Sequence, residues 1–508
     1  MVIKIQPREY QKKIYETASE NNTLVVLPTG LGKTLIALLL SINRLQKHPA
    51  SKILFLAPTK PLVEQHAVSF KREIPELFAD VQALTGETNA KQRAKIWNTS
   101  DIIIATPQGT ENDLEKYLYT LEDVSLLIID EAHRCLKNYD YTKIVQRYKN
   151  TARNVRILGL TASPGSTIEN VREICNHLDI EAIEVRTRDS EDVKEHLQHR
   201  EHEKIEVSFP KEFAEIRYLM NRMYDSKISQ LRTRSLLFGP ANKITLLKLQ
   251  NNLARRAGMK DGNAMYGMSL TAQAIKISHG VELLETQTLT GLRDYLKGLE
   301  KQAEEKTTRA SQHIVGMPEF NKVLELVTDL IENKKEHPKI KVIKDVIKET
   351  LENKSTSKAI IFTQFRESAN QIKKATETIE GARPCVFIGQ AKKNNMGMSQ
   401  KEQKQILNNF RDGTLNVLCA TSIGEEGLDI PEVDLVIFYE PIPSAIRKIQ
   451  RAGRTARLKP GKIIMLITKD TRDEIYHYAS SAKEKKMHSI IERVQKEISQ
   501  KQQSLSKF

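Results

Sequence analysis

No stretch of the 508-residue chain approaches the ~20 consecutive apolar residues that a bilayer-spanning helix needs, so a membrane role is not expected. Cysteine is scarce as well. Cys135, Cys175, Cys385 and Cys419 are scattered with no C-x-x-C pair, which argues against a disulfide framework or zinc site and for reduced, mostly buried thiols. The first residues, MVIKIQPREYQ, hold no apolar h-region and no small-residue cleavage site, so no secretory signal is read and a cytoplasmic location is expected.

Charge, by contrast, is plentiful and one-sided. Lysine plus arginine number 79 against 64 acids, a net charge of +15 with a pI of about 9.3, which makes polyanions plausible partners. The length calls for two or three domains, each able to bury a core. Short apolar runs alternate with helical periodicity: TLVVLP (23–28), KILFLAP (52–58), DIIIATP (101–107), LLIIDEAH (126–133) and RILGLTAS (156–163). A second set follows: AIIFTQ (359–364), CVFIG (385–389), NVLCATS (416–422), DLVIFYE (434–440) and KIIMLIT (462–468). Such runs read as parallel strands buried on both faces, hence an α/β protein of two doubly wound lobes.

The expected domains are lobe one at 1–205, an all-helical insertion at 206–340, lobe two at 341–480 and a polar helical tail or linker at 481–508. Within 222–260 nine basic residues, among them Arg232, Arg234, Arg255 and Arg256, face one acid, Asp225. A solvated helix face is the competing reading of that stretch, but so uneven a balance favours a surface turned to a polyanion.

After the first strand comes PTGLGKT, residues 28–34. Thr29, Gly30 and Gly32 let backbone amides approach a phosphate at a helix N-terminus, Lys33 reaches the terminal phosphates, and Thr34 can ligate Mg²⁺. The strict phosphate-loop pattern would have glycine where Leu27 stands. Context compensates: the apolar run LLIIDEAH ends in two carboxylates, which are costly to bury unless paired. Asp130 would hold Mg²⁺ and Glu131 would orient or deprotonate the attacking water. Late in the chain, ATSIGEEGLDIP (420–431), with Gly427 and Asp429, suits a loop approaching a ribose or phosphate. In IQRAGRTARLKPGK, Arg451, Arg454 and Arg457 recur every three residues on one helical face, which a salt-bridged surface helix would also explain.

Taken in order, these segments resemble superfamily 2 helicases: PTGLGKT as motif I, APTKPLVEQ as Ia, TGE (85–87) as Ic, TPQ (106–108) as Ib, DEAH as II and TAS as III. IIFTQFRESA, ATSIGEEGLDI and QRAGRTAR follow as IV, V and VI. The resemblance implies two RecA-like lobes with ATP and Mg²⁺ in the cleft between them. Arg454 and Arg457 match the arginine fingers and Gln450 the start of motif VI, although Ala456 replaces the commoner glycine. Arg8 and Gln11 resemble the adenine-reading element, and a carboxamide can make two hydrogen bonds to adenine. Thr59, Gly86 and Thr106 in lobe one, with Thr363 and Thr421 in lobe two, would hold nucleic acid by its phosphates, without reading bases. Ser163 would couple cleft to track, though a hydroxyl capping a strand end is an equal reading.

The insertion and the wording of motifs Ia, II and VI look most like the archaeal Hef helicases, relatives of the Fanconi anaemia M translocase. That likeness implies action on forked or branched DNA in replication-fork repair, in association with the nucleoid. Members often add an XPF-like nuclease with an ERK-x-x-x-D motif, absent here, so no DNA cutting is expected. Two other readings stay open: a double-stranded RNA translocase of the RIG-I and Dicer kind, and a scaffold that binds ATP without cycling. A nuclease or replication-clamp partner is not readable from the sequence.

Overall fold

The computed structural model describes residues 5–137, 139–165, 167–196, 200–390, 397–421, 430–442 and 461–505. Lobe one holds seven parallel strands: β1 (Thr23–Val26), β2 (Lys52–Leu56), β3 (Val81–Leu84), β4 (Ile102–Ala105), β5 (Val124–Asp130), β6 (Ile157–Thr161) and β7 (Ala182–Val185). Their order across the sheet is β3-β4-β2-β5-β6-β1-β7. The apolar runs form strands because successive side chains supply opposite faces. Leu24, Leu54, Leu56, Ile103, Leu127 and Ile129 enter one core, while Val25, Ile53, Phe55, Ile104, Leu126 and Ile128 enter the other. The edge strands β3 and β7 were not read from the sequence, because an edge strand needs less apolar cover and theirs, VQAL and AIEV, is interrupted by polar residues.

Lobe two is a second parallel sheet, ordered β10-β11-β9-β12-β13-β8. It is built from β8 (Arg200–Val207), β9 (Ala359–Phe362), β10 (Pro384–Phe387), β11 (Val417–Ala420), β12 (Leu435–Phe438) and β13 (Gly461–Thr468). Here the structure corrects the expected boundary. The stretch 200–207, assigned from the sequence mostly to lobe one, pairs along its whole length with β13 of lobe two. This strand, REHEKIEV, is held at the edge by charge as well as backbone: Lys462 bridges Glu203 at 2.6 Å and Lys469 bridges Glu206 at 2.9 Å.

Between the lobes in sequence stands a bundle of helices at Lys211–Thr233, Lys243–Ala257, Gly262–Thr286, Leu289–Glu304, Arg309–Val315 and Pro318–Glu332. Four of them start where a capping side chain accepts the amide three residues on: Asn242 from Thr245, Asp261 from Ala264, Thr288 from Gly291 and Thr308 from Ser311. Phe213, Ile216, Met220, Leu292, Leu296 and Phe320 form its inner core, and Leu231, Leu246, Leu253 and Leu270 a second core further out. The bundle stands on the carboxyl end of lobe two, since β8 ends at Val207, just before the first helix.

The expected polar tail proves to be part of a helix running Arg472–Leu505. Met487, Ile490, Ile491 and Val494 recur at helical spacing and are buried in the core of lobe one. Gln495 Nε2 donates to the Ile183 carbonyl of β7 at 2.9 Å, and Arg172 grips Glu497 through two bonds of 2.8 and 3.0 Å. The start of this helix is tied elsewhere. Asp473, fully buried, takes the ammonium of fully buried Lys339 at 2.5 Å, and Arg472 Nη2 donates to Ser278 Oγ of the bundle at 3.2 Å. One helix thus touches lobe one, lobe two and the bundle.

A buried pair stripped of one partner costs about 3–5 kcal/mol, whereas an apolar replacement of both is near neutral. Lys339→Met should therefore lower unfolding stability by roughly that amount in calorimetry, and the double change Lys339→Met with Asp473→Leu should recover most of the loss.

Candidate active site

In a parallel sheet every strand delivers its following loop to the same edge, so the strand order fixes which side chains can meet. β5, β6 and β1 are neighbours, with Asp130 paired to Leu160 and Val26 to Thr161. Their ends bring together the DEAH carboxylates, the TAS segment and the PTGLGKT loop. On the other half of the same edge, β3, β4 and β2 end just before Gly86, Thr106 and Thr59. Strands lie about 4.8 Å apart, so these three form a row roughly 10 Å long. Thr59 and Thr106 precede helices at Lys60–Glu73 and Pro107–Glu115, and Gly86 is exposed.

The loop after β1 turns on Gly30 and Gly32, both left-handed at φ 87° and 82°. A Cβ on Gly32 would collide with the Gln11 carboxamide. Gln11 is buried against the loop: its Nε2 donates to the Leu31 carbonyl at 3.1 Å, its Oε1 accepts the Arg8 amide at 2.9 Å, and the Tyr10 hydroxyl donates to the same Leu31 carbonyl at 2.9 Å. Gln11 and Arg8 thus sit beside the phosphate loop. Gly32 is the N-cap of helix Lys33–Lys47, so Lys33 and Thr34 open that helix, where amides and dipole favour an anion. The Lys33 ammonium donates to the Leu27 carbonyl at 2.7 Å.

Asp130 closes β5, buried, and His66 Nε2 lies 3.0 Å from its Oδ2. Burial alone would raise its pKa, but the His66 hydrogen bond and charge, Lys33 and the Glu131 amide together hold the carboxyl below its usual range. It is therefore ionised at neutral pH. His66, on helix Lys60–Glu73, was not singled out in the sequence, where a lone histidine in an amphipathic helix carries no signal. Glu131 follows in a left-handed conformation, φ 53°. Its Oε2 is buried without a hydrogen bond of good geometry, 3.2 Å from His133 Nδ1. The His133 ring also lies 3.3 Å from the Thr161 hydroxyl, joining DEAH to TAS, and Ser163 donates to the Met487 sulfur at 2.7 Å.

Magnesium takes oxygen donors and leans on few protein groups when phosphates complete its shell. The ionised Asp130 carboxylate and the Thr34 hydroxyl are donors of that kind, and the orphaned Glu131 oxygen is an acceptor that a water would satisfy. Among the described residues no group of three or more His, Cys, Asp or Glu could hold a metal unaided. The residues present fit a magnesium ion delivered with a triphosphate.

Lobe two departs from expectation at Thr363, the first of its two threonines expected at phosphates. Thr363 is fully buried and donates to Gln287 Oε1 at 3.3 Å, beside Ser368, which donates to the same oxygen at 2.8 Å. The bundle closes over the end of β9 there, so this hydroxyl fastens the bundle and is not offered to a polyanion. Thr421 is buried as well, at the end of β11. Gly427, Asp429, Gln450, Arg451, Arg454 and Arg457 lie outside the described residues. On the bundle, Arg232, Arg234, Arg255 and Arg256 are all exposed. Arg234 stacks 4.0 Å from the Tyr266 ring centroid and Arg256 pairs with Asp261 at 2.7 Å.

Comparisons with known proteins agree with this layout. The DEAD/DEAH box helicase family matches residues 8–171, and the Helicase conserved C-terminal domain matches 338–459. A helical-bundle family named for a provisionally assigned ATP-dependent RNA helicase matches 212–337. The crystal structure of the Pyrococcus furiosus Hef helicase domain superposes with a TM-score of 0.72 and 44% identity, covering 94% of this chain and all of that one. A Methanocaldococcus jannaschii protein, MJ1505, which carries the provisional name of an ATP-dependent RNA helicase, is 38% identical over 491 residues, 96% of this chain and 61% of that protein. The ATP-dependent DNA helicase mph1 of Sclerotinia sclerotiorum is 33% identical over 518 residues, 97% of this chain and 41% of that protein. The chain thus spans less than two thirds of either protein.

Groups that orient a metal ligand typically contribute 10- to 100-fold to affinity. Replacing His66 by Ala should raise the Mg²⁺ concentration for half-maximal ATP hydrolysis by about that factor, while His66→Gln, which can still donate to Asp130, should recover part of it.

Proposed function

Because the chain belongs to the superfamily 2 helicases, as a relative of the Hef helicase domain, we propose that it is an ATP-driven DNA translocase that unwinds or remodels forked and branched DNA in replication-fork repair. The observation that carries this reading is the division of lobe one's carboxyl edge. Phosphate loop and carboxylates occupy β1, β5 and β6, while a row of groups suited to a polynucleotide backbone occupies β2, β3 and β4. The relative named mph1 as a DNA helicase supports DNA as the polymer, and the basic bundle supports a broad grip on it.

In this proposal Thr29, Gly30 and Gly32 shape the cradle for the phosphates, and Lys33 neutralises charge as it builds on the leaving group. Thr34 and Asp130 hold magnesium, which supplies Lewis-acid polarisation of the phosphoryl oxygens. Glu131, with its hydrogen-bond-poor oxygen, orients the attacking water and accepts its proton, while Arg8 and Gln11 face the adenine. Gln450 and the finger arginines Arg454 and Arg457 complete the site from lobe two, with Gly427 and Asp429 near the ribose. A finger contributes roughly 10³ to 10⁵ in rate in related chemistry, so lobe closure gates hydrolysis. Thr59, Gly86 and Thr106 grip phosphates, and a grip that tightens in one nucleotide state and loosens in the other moves the strand. The proposed place of action is the nucleoid.

Double-stranded RNA is the second reading, favoured by the name of the Methanocaldococcus relative. The 2′-hydroxyl separates the two polymers, so the deciding measurement is ATPase stimulation by matched single strands, duplexes, forks and four-way junctions of DNA and of RNA. Forked DNA should stimulate most. Absence of stimulation by any polymer would sink the proposal, and stimulation confined to RNA would replace it. Lys33→Ala should lower turnover by at least about 100-fold. Replacing Arg232, Arg234, Arg255 and Arg256 together should weaken DNA binding and flatten the log-log salt slope by roughly one unit for each phosphate left without its cation.

A further inference from the structure

Exposed apolar side chains are not spread evenly over this molecule. Of the large hydrophobic residues exposed among the described residues, more than half fall between residues 218 and 268. The same stretch holds the most basic part of the insertion, nine cations against one acid over 222–260. Either property alone has an ordinary meaning. Apolar surface alone fits a protein partner, and basic surface alone fits duplex phosphates. Their superposition fits a polyanion that also presents flat apolar faces, a nucleic acid whose bases have come out of the stack.

Phe238 is the most exposed aromatic residue of this stretch. It is 77% exposed, yet it sits on a pinned turn. Leu236 and Leu237, just before it, are buried in the outer core of the bundle, where Leu236 packs against Gly267. Ser235 and Gly239 bracket it with left-handed turns at φ 54° and 80°. Arg232 Nη2 donates to the Gly239 carbonyl at 3.3 Å, and the Tyr224 hydroxyl donates to the Ala241 carbonyl. The chain then enters helix Lys243–Ala257, which turns Ile244, 68% exposed, and Leu247 outward. Nearby, Arg234 lies over Tyr266, a pair that presents a cation and an aromatic edge together. A ring held out by two buried leucines and two tight turns is built to be inserted into something.

We propose that Phe238, with Ile244 and Leu247, is an apolar wedge that receives unstacked bases at the branch point of DNA, while Arg232 and Arg234 hold the flanking phosphates. This rests on the DNA-translocase reading and adds to it the element that tells branched from linear substrates. Unpaired bases cost little to expose at a branch but must be unstacked in an intact duplex, so the wedge discriminates by that difference. A second copy of this chain is a poorer occupant, because two such basic surfaces would repel.

The test compares the full chain with Phe238→Ala and Phe238→Trp on forked and linear DNA, by equilibrium binding and by fluorescence of 2-aminopurine placed at the branch. Base stacking on one aromatic is worth about tenfold in affinity. Phe238→Ala should lose roughly that factor on forks alone and abolish the change in 2-aminopurine signal, with linear-duplex binding and its salt slope unchanged; Phe238→Trp should restore both. Equal loss on forks and duplexes, no loss on either, or a change in sedimenting mass would overturn the wedge. Failure of the underlying reading looks different, since the unmodified chain would then hydrolyse ATP no faster with any DNA.

Discussion

Two carboxylates at the end of a strand buried on both faces are the constraint around which lobe one is arranged. Such a pair is tolerated only if polar neighbours gather around it, and here they approach from three directions. His66 hydrogen-bonds Asp130 from a helix that follows β2, the Lys33 ammonium contributes from the loop after β1, and His133 stands against Glu131 from the turn after β5. An antiparallel sheet, which sends its loops alternately to opposite ends, could not gather these groups. The all-parallel order β3-β4-β2-β5-β6-β1-β7 is therefore a condition of the chemistry. The same helix that brings His66 to Asp130 is preceded at its N-terminus by Thr59, in the row with Gly86 and Thr106. One rigid element spans the two halves of the edge.

The bundle is fastened to lobe two rather than suspended between the lobes. Its inner end is held by polar contacts: buried ones from Gln287 to Thr363 and Ser368 and from Lys339 to the Thr286 carbonyl, and a half-buried one from the Arg472 guanidinium to Ser278. Its outer end is where cations and apolar side chains accumulate. Buried polar contacts are concentrated where the bundle joins lobe two, and exposed cations and apolar side chains at its far end.

Most of the lobes was legible because buried parallel strands need continuous apolar runs, and LLIID or AIIF admits few other fates. The phosphate loop was legible for a similar reason, since its glycines answer a backbone requirement that the observed φ angles confirm. What escaped was structure decided by partners distant in sequence. β8 carries only Ile205 and Val207 as apolar residues, and its place is set by lysines more than 250 residues on. The stripe Met487, Ile490, Ile491, Val494 has plain helical spacing, but the lysine-rich flank KEKK made it resemble a solvated tail. Thr363 was expected at a phosphate because its segment matches a motif, and only the packed bundle reveals that its hydroxyl is spent inside. His66 gave no sign at all, because its meaning depends on which strand end its helix happens to cross.

The way both lobes are finished also bears on how the chain is made. Lobe one has all seven strands by Val185, yet four side chains of its core arrive only with residues 487–494. Likewise the strand ending at Val207 waits, unpaired, for residues 461–468. At ribosomal speeds of about 5–20 residues per second the wait lasts on the order of tens of seconds. During synthesis the nascent protein therefore carries an open apolar groove and an unpaired strand long after its phosphate loop has been made, surfaces of the kind that co-translational chaperones cover.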